Sequence, residues 1–262
     1  MVASRFDAGK AEAMAAAGID DFEGIFQSDV TDKVQSASLV DSNEGWTWAP
    51  GLYRGGGLTT NADGSEVYQG CGVLSQVVEG LNPGLYRVTL NGFYRINGER
   101  TGNIDWYNEG YVMSTAFLAA NGNECRIKPV GAEAVVNEAG DNIYPNWMNE
   151  SKECFDKGMY LNEVFAYVGE DGKLDIAIIL PTFNYQCWLM LGGVTLTYYS
   201  SEAEAINGEE GTTGINNVAA EVVSRSFYNA NGTEIAEPAK GINVVKSVMS
   251  DGTIKVEKVL VK

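Results

Sequence analysis

The sequence contains no histidine. That absence removes the commonest general base, the usual zinc ligand and every Ser-His or Cys-His nucleophile pair. Cysteine is scarce: Cys71, Cys125, Cys154 and Cys187 stand far apart with no Cys-x-x-Cys spacing, which argues against a zinc site. Four cysteines permit three disulfide connectivities. Free buried thiols are an equal reading, since 262 residues with 45% hydrophobic content build a core that needs no staples. No apolar run reaches the roughly 20 residues of a membrane-spanning helix. The first ten residues are polar, so the chain reads as cytosolic or as already processed or truncated. Basic residues are few, 18 Lys and Arg against 35 Asp and Glu, for a net charge of −17. Such a surface repels nucleic acid and anionic membranes, because phosphate binding needs clustered Lys and Arg. It leaves neutral ligands such as sugars open. No metal and no cofactor is expected.

What is present is mostly β pattern. Residues 3–17 are Ala-rich and predict a helix stopped by Gly18. From Trp46 onward, aromatics, β-branched residues and glycine turns take over. Residues 85–95, 173–180 and 188–199 alternate clearly, with Tyr86, Val88, Leu90 and Tyr94, then Leu174, Ile176, Ile178 and Leu180, then Val194, Leu196 and Tyr198 on single faces. Weaker strands are expected at 73–78, 112–120, 125–130 and 163–168, with a short helix at 149–157 closed by Gly158. Many strands and no helix between strand pairs predict an all-β fold, an antiparallel sandwich. Residues 201–218 are small, acidic and glycine-containing and read as a linker. Beyond it, 219–262 carries short strands with Asn231-Gly232 and Asp251-Gly252 turns. Residues 213–262 have a net charge of +1, leaving −18 on residues 1–212. The expected organisation is therefore a partly helical segment 1–29, a sandwich 30–200, a linker 201–218 and a β segment 219–262.

Several stretches carry a resemblance. DVTDKV (29–34), GWTW (45–48), LSQVVEGLNPGLYRVTLNGFYR (74–95), AFLAANG (116–122), MNESKECFDKGMYLNEVFAYVGEDGKLDIAI (148–178) and WLMLGGVTLTYY (188–199) together resemble galactose-binding-like jelly-roll domains of secreted gut Bacteroidales proteins. The tail FYNANGTEIAEPAKGINVVK (227–246) and its closing KVLVK (258–262) are similar to the C-terminal sorting domains linked to type IX secretion. The resemblance implies a jelly-roll sandwich, a secreted or outer-surface location, and export machinery as a partner of the tail. Related sandwiches read W-x-x-F-D-x-F in the last strand, with an Asp supporting a structural calcium site. Here that position is Gly192, which removes a hard oxygen ligand that calcium would need.

Strand direction locates the candidate site. If each connection reverses the chain, then loops 96–111, 131–149 and 181–187 fall at one end and the tight turns at the other. Long loops on a rigid scaffold are where binding residues sit. Sugar recognition needs flat aromatic faces with Asn, Asp or Arg reaching hydroxyls, and these loops supply both. The candidate ligand-binding residues are Arg100, Asp105, Trp106, Tyr107, Tyr111, Tyr144, Trp147 and Tyr185. Trp106 and Tyr107 lead, being mid-loop in IDWYNEGY. Trp46, Trp48, Tyr68 and Trp147 also fit as plugs over the open end of the sandwich. Acidic pairs such as Asp105 and Glu109 are expected by chance among so many carboxylates, and no catalytic residues are assigned. The reading is a non-catalytic module binding carbohydrate or glycoconjugate. Its alternative is a structural or adhesive surface protein whose sandwich is a spacer and whose partners are proteins.

Overall fold

The structure is a computed structural model. It describes residues 3–52, 56–96, 98 and 100–200, and then 222–229, 234–235, 237, 240–249 and 254–261. The chain forms two compact units, Met1–Asn207 and Gly208–Lys262. The sequence-predicted linker 201–218 lies outside the described residues.

In chain order the first unit holds helix α1 (Ala3–Ala16) and strands β1 (Phe26–Asp29), β2 (Thr47–Pro50), β3 (Leu58–Asn61), β4 (Gly64–Tyr68), β5 (Gly72–Val78) and β6 (Gly84–Arg95). Next come helix α2 (Arg100–Asn108), β7 (Phe117–Ala120), β8 (Asn123–Arg126), β9 (Val135–Val136), β10 (Asn142–Ile143), helix α3 (Met148–Asp156), β11 (Leu161–Val168), β12 (Leu174–Leu180) and β13 (Trp188–Ser200). One antiparallel sheet runs β11-β6-β13-β4-β3, and β1 also pairs with β13. β4 flanks the first half of β13 and β1 its last four residues, with Phe26 opposite Ser200. The other sheet runs β2-β5-β12-β7-β8. The inward faces of both sheets meet in one core, which includes Leu74, Tyr86, Val88, Leu90, Leu118, Ile176, Ile178, Leu189 and Leu196, all buried. The fold is an all-β sandwich.

Three expectations are corrected. The sheet begins at Phe26, inside the segment read as preceding the sandwich. The strand expected at 112–120 is only Phe117–Ala120, and the one at 125–130 is Asn123–Arg126. The stretch read as loop 96–111 contains α2. This helix ends as helices commonly do, with Gly110 at φ +88, Gly110 N–H donating to Tyr107 O and Tyr111 N–H to Trp106 O.

Strand β6 is buried on both faces, because the outward face of its sheet is covered too. At one end, α1 and the chain after it bring Ala13 and Ile19 onto Leu85, Phe165 and Tyr199. At the other end, Cys154 and Phe155 of α3, with Tyr160, pack on Phe93, Trp188 and Met190. Gly192 makes this second contact possible. It has no side chain, and the Phe155 ring lies where a Cβ would be, 2.0 Å from Phe155 Cδ2. The Asp of the related pattern is therefore replaced by room for an α3 side chain.

The connections sort by length. The pairings Gly84↔Val168 and Arg95↔Trp188 put residues 84 and 168 at one end and 95 and 188 at the other. The turns 79–83, 121–122 and 169–173 share the first end. Asn121 ties that end together, donating to Tyr167 O and Lys173 O and accepting from Asp175 N–H. The connections 51–57, 96–116, 127–160 and 181–187 share the second end. There α2 rests on residues 130–132, with a Cβ on Gly131 meeting Tyr107 Cβ at 3.1 Å. The segment 30–46 does not belong to this end. It carries Trp46, which is 8% exposed in the inter-sheet core and donates its indole N–H to Gln35 O. Trp48 lies on β2 opposite Leu74 and packs against the same core. Neither is a loop-end residue.

None of the four cysteines is in a disulfide. Burial pushes the Cys125 thiol up to about 12 and the Cys154 thiol up from its ordinary value. In the second unit, β14 (Val222–Asn229), β15 (Glu234–Ile235), β16 (Gly241–Met249) and β17 (Ile254–Val261) form an antiparallel sheet in the order β15-β14-β16-β17.

Candidate functional site

At the loop end, on the outward face of the first sheet, lies a cleft of about 640 Å³. That volume is in the range of small-molecule sites. The tops of three adjacent strands make its floor: Glu66 and Tyr68 from β4, Arg95 from β6 and Trp188 from β13. Asp63 enters from the β3–β4 turn. Asn146, Trp147, Met148 and Asn149 enter from the start of α3, and Gly98 and Gln186 from the neighbouring loops.

The floor is fixed by a chain of contacts across four elements. The Trp188 indole N–H donates to Glu66 Oε2 at 2.6 Å. The Arg95 guanidinium lies over the Trp188 ring, 4.8 Å from its centroid. Arg95 Nη1 donates to Asn146 Oδ1 at 2.7 Å, and Asn146 N–H donates to Glu150 Oε2 at 2.7 Å. Phe93 meets Trp188 edge-on, with centroids 5.2 Å apart. Arg95 is 6% exposed and Trp188 3%, so this indole is covered structure and not a platform. The open rings are Tyr68 and Trp147, 40% and 65% exposed.

The start of α3 is set locally. Glu150, in the first turn, accepts from Asn146 N–H just outside the helix, and Ser151 Oγ donates to Trp147 O. At the far end, Gly158 at φ +74 closes the helix with Gly158 N–H donating to Phe155 O. These contacts hold Trp147 at the rim while Phe155 anchors the helix in the sheet.

The sequence-predicted residues are spread over this end. Trp147 lines the cleft. Tyr144 is half-buried, packs against the Phe93–Phe155 cluster and lines a separate depression of about 380 Å³ with Cys154 and Lys157. Asp105, Trp106 and Tyr107 are exposed on α2, and Tyr111 is exposed just after it. Tyr185 is exposed in loop 181–187 and is not among the lining residues, although its neighbour Gln186 is. Arg100 opens α2, and its side chain lies outside the described residues. The carboxylates weighed as a pair do not converge on a cleft. Asp105 and Glu109 stand one helical turn apart, while Glu133 accepts from Lys128 Nζ and from Tyr160 N–H at 2.7 Å. Among the described residues no three His, Cys, Asp or Glu side chains come together as a metal site.

Glu66, Arg95 and Trp188 were not singled out from the sequence, and Tyr68 was weighed as a plug. A signal existed for Arg95. A charged side chain at the end of an otherwise apolar strand, as in Tyr94-Arg95, marks the point where the sheet face meets the loops.

No family model matches the chain, and no curated protein matches it. Six solved chains match in structure. One is TmCBM61 in complex with beta-1,4-galactotriose, with TM-score 0.26 and 12% identity over 71% of this chain and 94% of that one. Another is a family 35 carbohydrate binding module from Clostridium thermocellum, with TM-score 0.25 and 12% identity over 67% of this chain and 92% of that one. A likeness at this level assigns this chain neither a ligand nor a site.

Proposed function

We propose that the first unit is a non-catalytic saccharide-binding module and that the cleft over Trp188 seats the sugar. The observation that carries the reading is the pairing of two exposed rings, Tyr68 and Trp147, with a floor of locked polar groups. An exposed ring offers an apolar plane to the C–H face of a pyranose. Glu66, Asp63, Asn149 and Gln186 offer donors and acceptors to its hydroxyls. Hydrogen-bonding the floor before ligand arrives lowers the ordering cost of binding. The exposed Asp105, Trp106, Tyr107 and Tyr111 form a second platform on and after α2 for a longer glycan, with Tyr185 and Tyr144 at the edges of the loop end.

The accompanying proposals are a secreted or outer-surface location in a Bacteroidetes-like cell, and a tail, residues 219–262, read by export machinery after a linker at 201–218. Deleting 219–262 in the native host tests the last point. Retention inside the cell with a folded first unit supports it, and unaffected export overturns it.

A glycan array tests the binding reading. Signal that disappears with Trp147→Ala supports the cleft, and signal that disappears only with Trp106→Ala moves the site to α2. A second reading is favoured by the apolar side chains exposed at the same end, among them Leu52, Val112, Val136 and Ile143. In it the module is adhesive and its partners are proteins. Silence across the array together with concentration-dependent assembly supports that reading.

A further inference from the structure

We propose that the cleft selects uncharged saccharides and rejects uronate- and sulfate-bearing ones. This rests on reading the cleft as a saccharide site. Among the described residues, the charged groups lining it are Asp63, Glu66 and Arg95. The two carboxylates come from β4 and from the turn before it, where Asp63 N–H is tied to Asn61 Oδ1 at 2.8 Å. Both keep some exposure. Arg95 is the one cation lining the cleft among the described residues, and it is nearly covered. Its guanidinium is spread over the Trp188 ring and its Nη1 is committed to Asn146. The Trp188 N–H, the other strong donor of the floor, is committed to Glu66.

What the cleft offers a ligand is therefore carboxylate oxygen and side-chain amide. Glu66 uses Oε2 for the indole, and its other oxygen is an acceptor. Asp63 supplies two more, and Asn149 and Gln186 supply amides that donate and accept. A sugar hydroxyl donates a proton and matches this set, and a hydroxyl–carboxylate bond is of the strong, charge-assisted kind. A sugar carboxylate or sulfate has only acceptors and brings a second negative charge to the same wall. The chain adds to this, since its net charge of −17 raises the cost of bringing any polyanion near.

The test uses the full chain and isothermal titration against two probes: neutral hexose oligosaccharides identified on the array and galacturonate oligomers. The neutral probe is expected to bind at least about tenfold more tightly than galacturonate, on the order of one lost charge-assisted bond. Asp63→Asn and Glu66→Gln keep the shape of the wall and remove its charge. Each is expected to weaken the neutral probe and to narrow its margin over galacturonate. Galacturonate binding as tight as the neutral probe overturns the inference and leaves the saccharide reading standing. A margin unchanged in both variants also overturns it. No binding of any probe, with the melting temperature unaltered by each, overturns the saccharide reading itself.

Discussion

Alanine at position 192 should unseat the wall of the cleft from below. Its Cβ would stand 2.0 Å from Phe155 Cδ2, 2.6 Å from Cγ and 2.7 Å from Cε2, whereas carbon atoms pack best at about 3.5–4.0 Å. The backbone at Gly192 is not left-handed, so the conflict is purely one of space. Phe155 is boxed in by Phe93 and Tyr160, with centroids at 6.0 and 6.5 Å, and has to leave its site. Losing a buried phenylalanine costs about 3–5 kcal/mol. For a unit of this size that is a fall of roughly 6–20 °C in melting temperature. Because α3 also presents Trp147, saccharide binding should weaken in the same variant. The double variant Gly192→Ala/Phe155→Ala separates this mechanism from others. With the ring gone the methyl group has room, so the double variant should be about as stable as Phe155→Ala alone, far from additive. Thermal and urea unfolding of the four proteins provide the cycle. Gly192→Ala within about 0.5 kcal/mol of the parent, or additive losses in the double variant, would refute the reasoning.

Other outcomes follow from the same contacts. Trp147→Ala should leave stability within about 0.5 kcal/mol, since the ring is 65% exposed, while titration calorimetry shows at least about a tenfold loss of saccharide affinity. The thiol of Cys125 is pushed up to about 12 by burial, and the Tyr86, Tyr94 and Tyr160 hydroxyls are raised above their ordinary value for the same reason. Groups raised on folding contribute stability that is complete below their unfolded values and is lost as pH rises through the folded ones. Urea midpoints should therefore hold up to about pH 9 and fall between about 9 and 12, and a flat profile across that window would contradict the burial of these groups. Excess EDTA should move the melting temperature by less than about 1 °C, because a structural ion held only by the folded state would have raised it. A larger fall would point to oxygen ligands that replace the one missing at Gly192.

Much of the sandwich was legible because its main strands are amphipathic at period two, as at Leu174–Leu180, and its turns carry glycine or asparagine. Two features defeated that pattern. The first is α2, whose Gly102 and Asn103 read as loop. Asn103 is fully buried and accepts from Ile96 N–H, a side-chain contact that hydrophobic periodicity does not register. The second is the bulge in β13 between Leu191 and Val194. It shifts the parity of the strand, so Leu189 and Leu191 share the inter-sheet core with Val194 and Leu196, while Trp188 and Met190 face outward. Counting by twos from Val194 puts Trp188 in the core, which hides the centre of the cleft floor. Trp147 was legible because an aromatic among Asn, Pro and Glu stands out in any loop. The role of Glu66 and Arg95 was not, because it depends on the three strand tops that the topology brings together.

The pairing of β1 with β13 bears on how the first unit responds to tension. Phe26 lies opposite Ser200, at the end away from the cleft, and the four residues of β1 are all exposed. A pull applied across these two points acts crosswise to the strands and opens their ladder one rung at a time, beginning at that outermost pair. The rest of β13 stays clamped along β6 and, near the cleft, along β4. Under load the molecule thus has a tear-away seam. The seam gives way first and lets out chain, while the end that would grip a ligand keeps its shape.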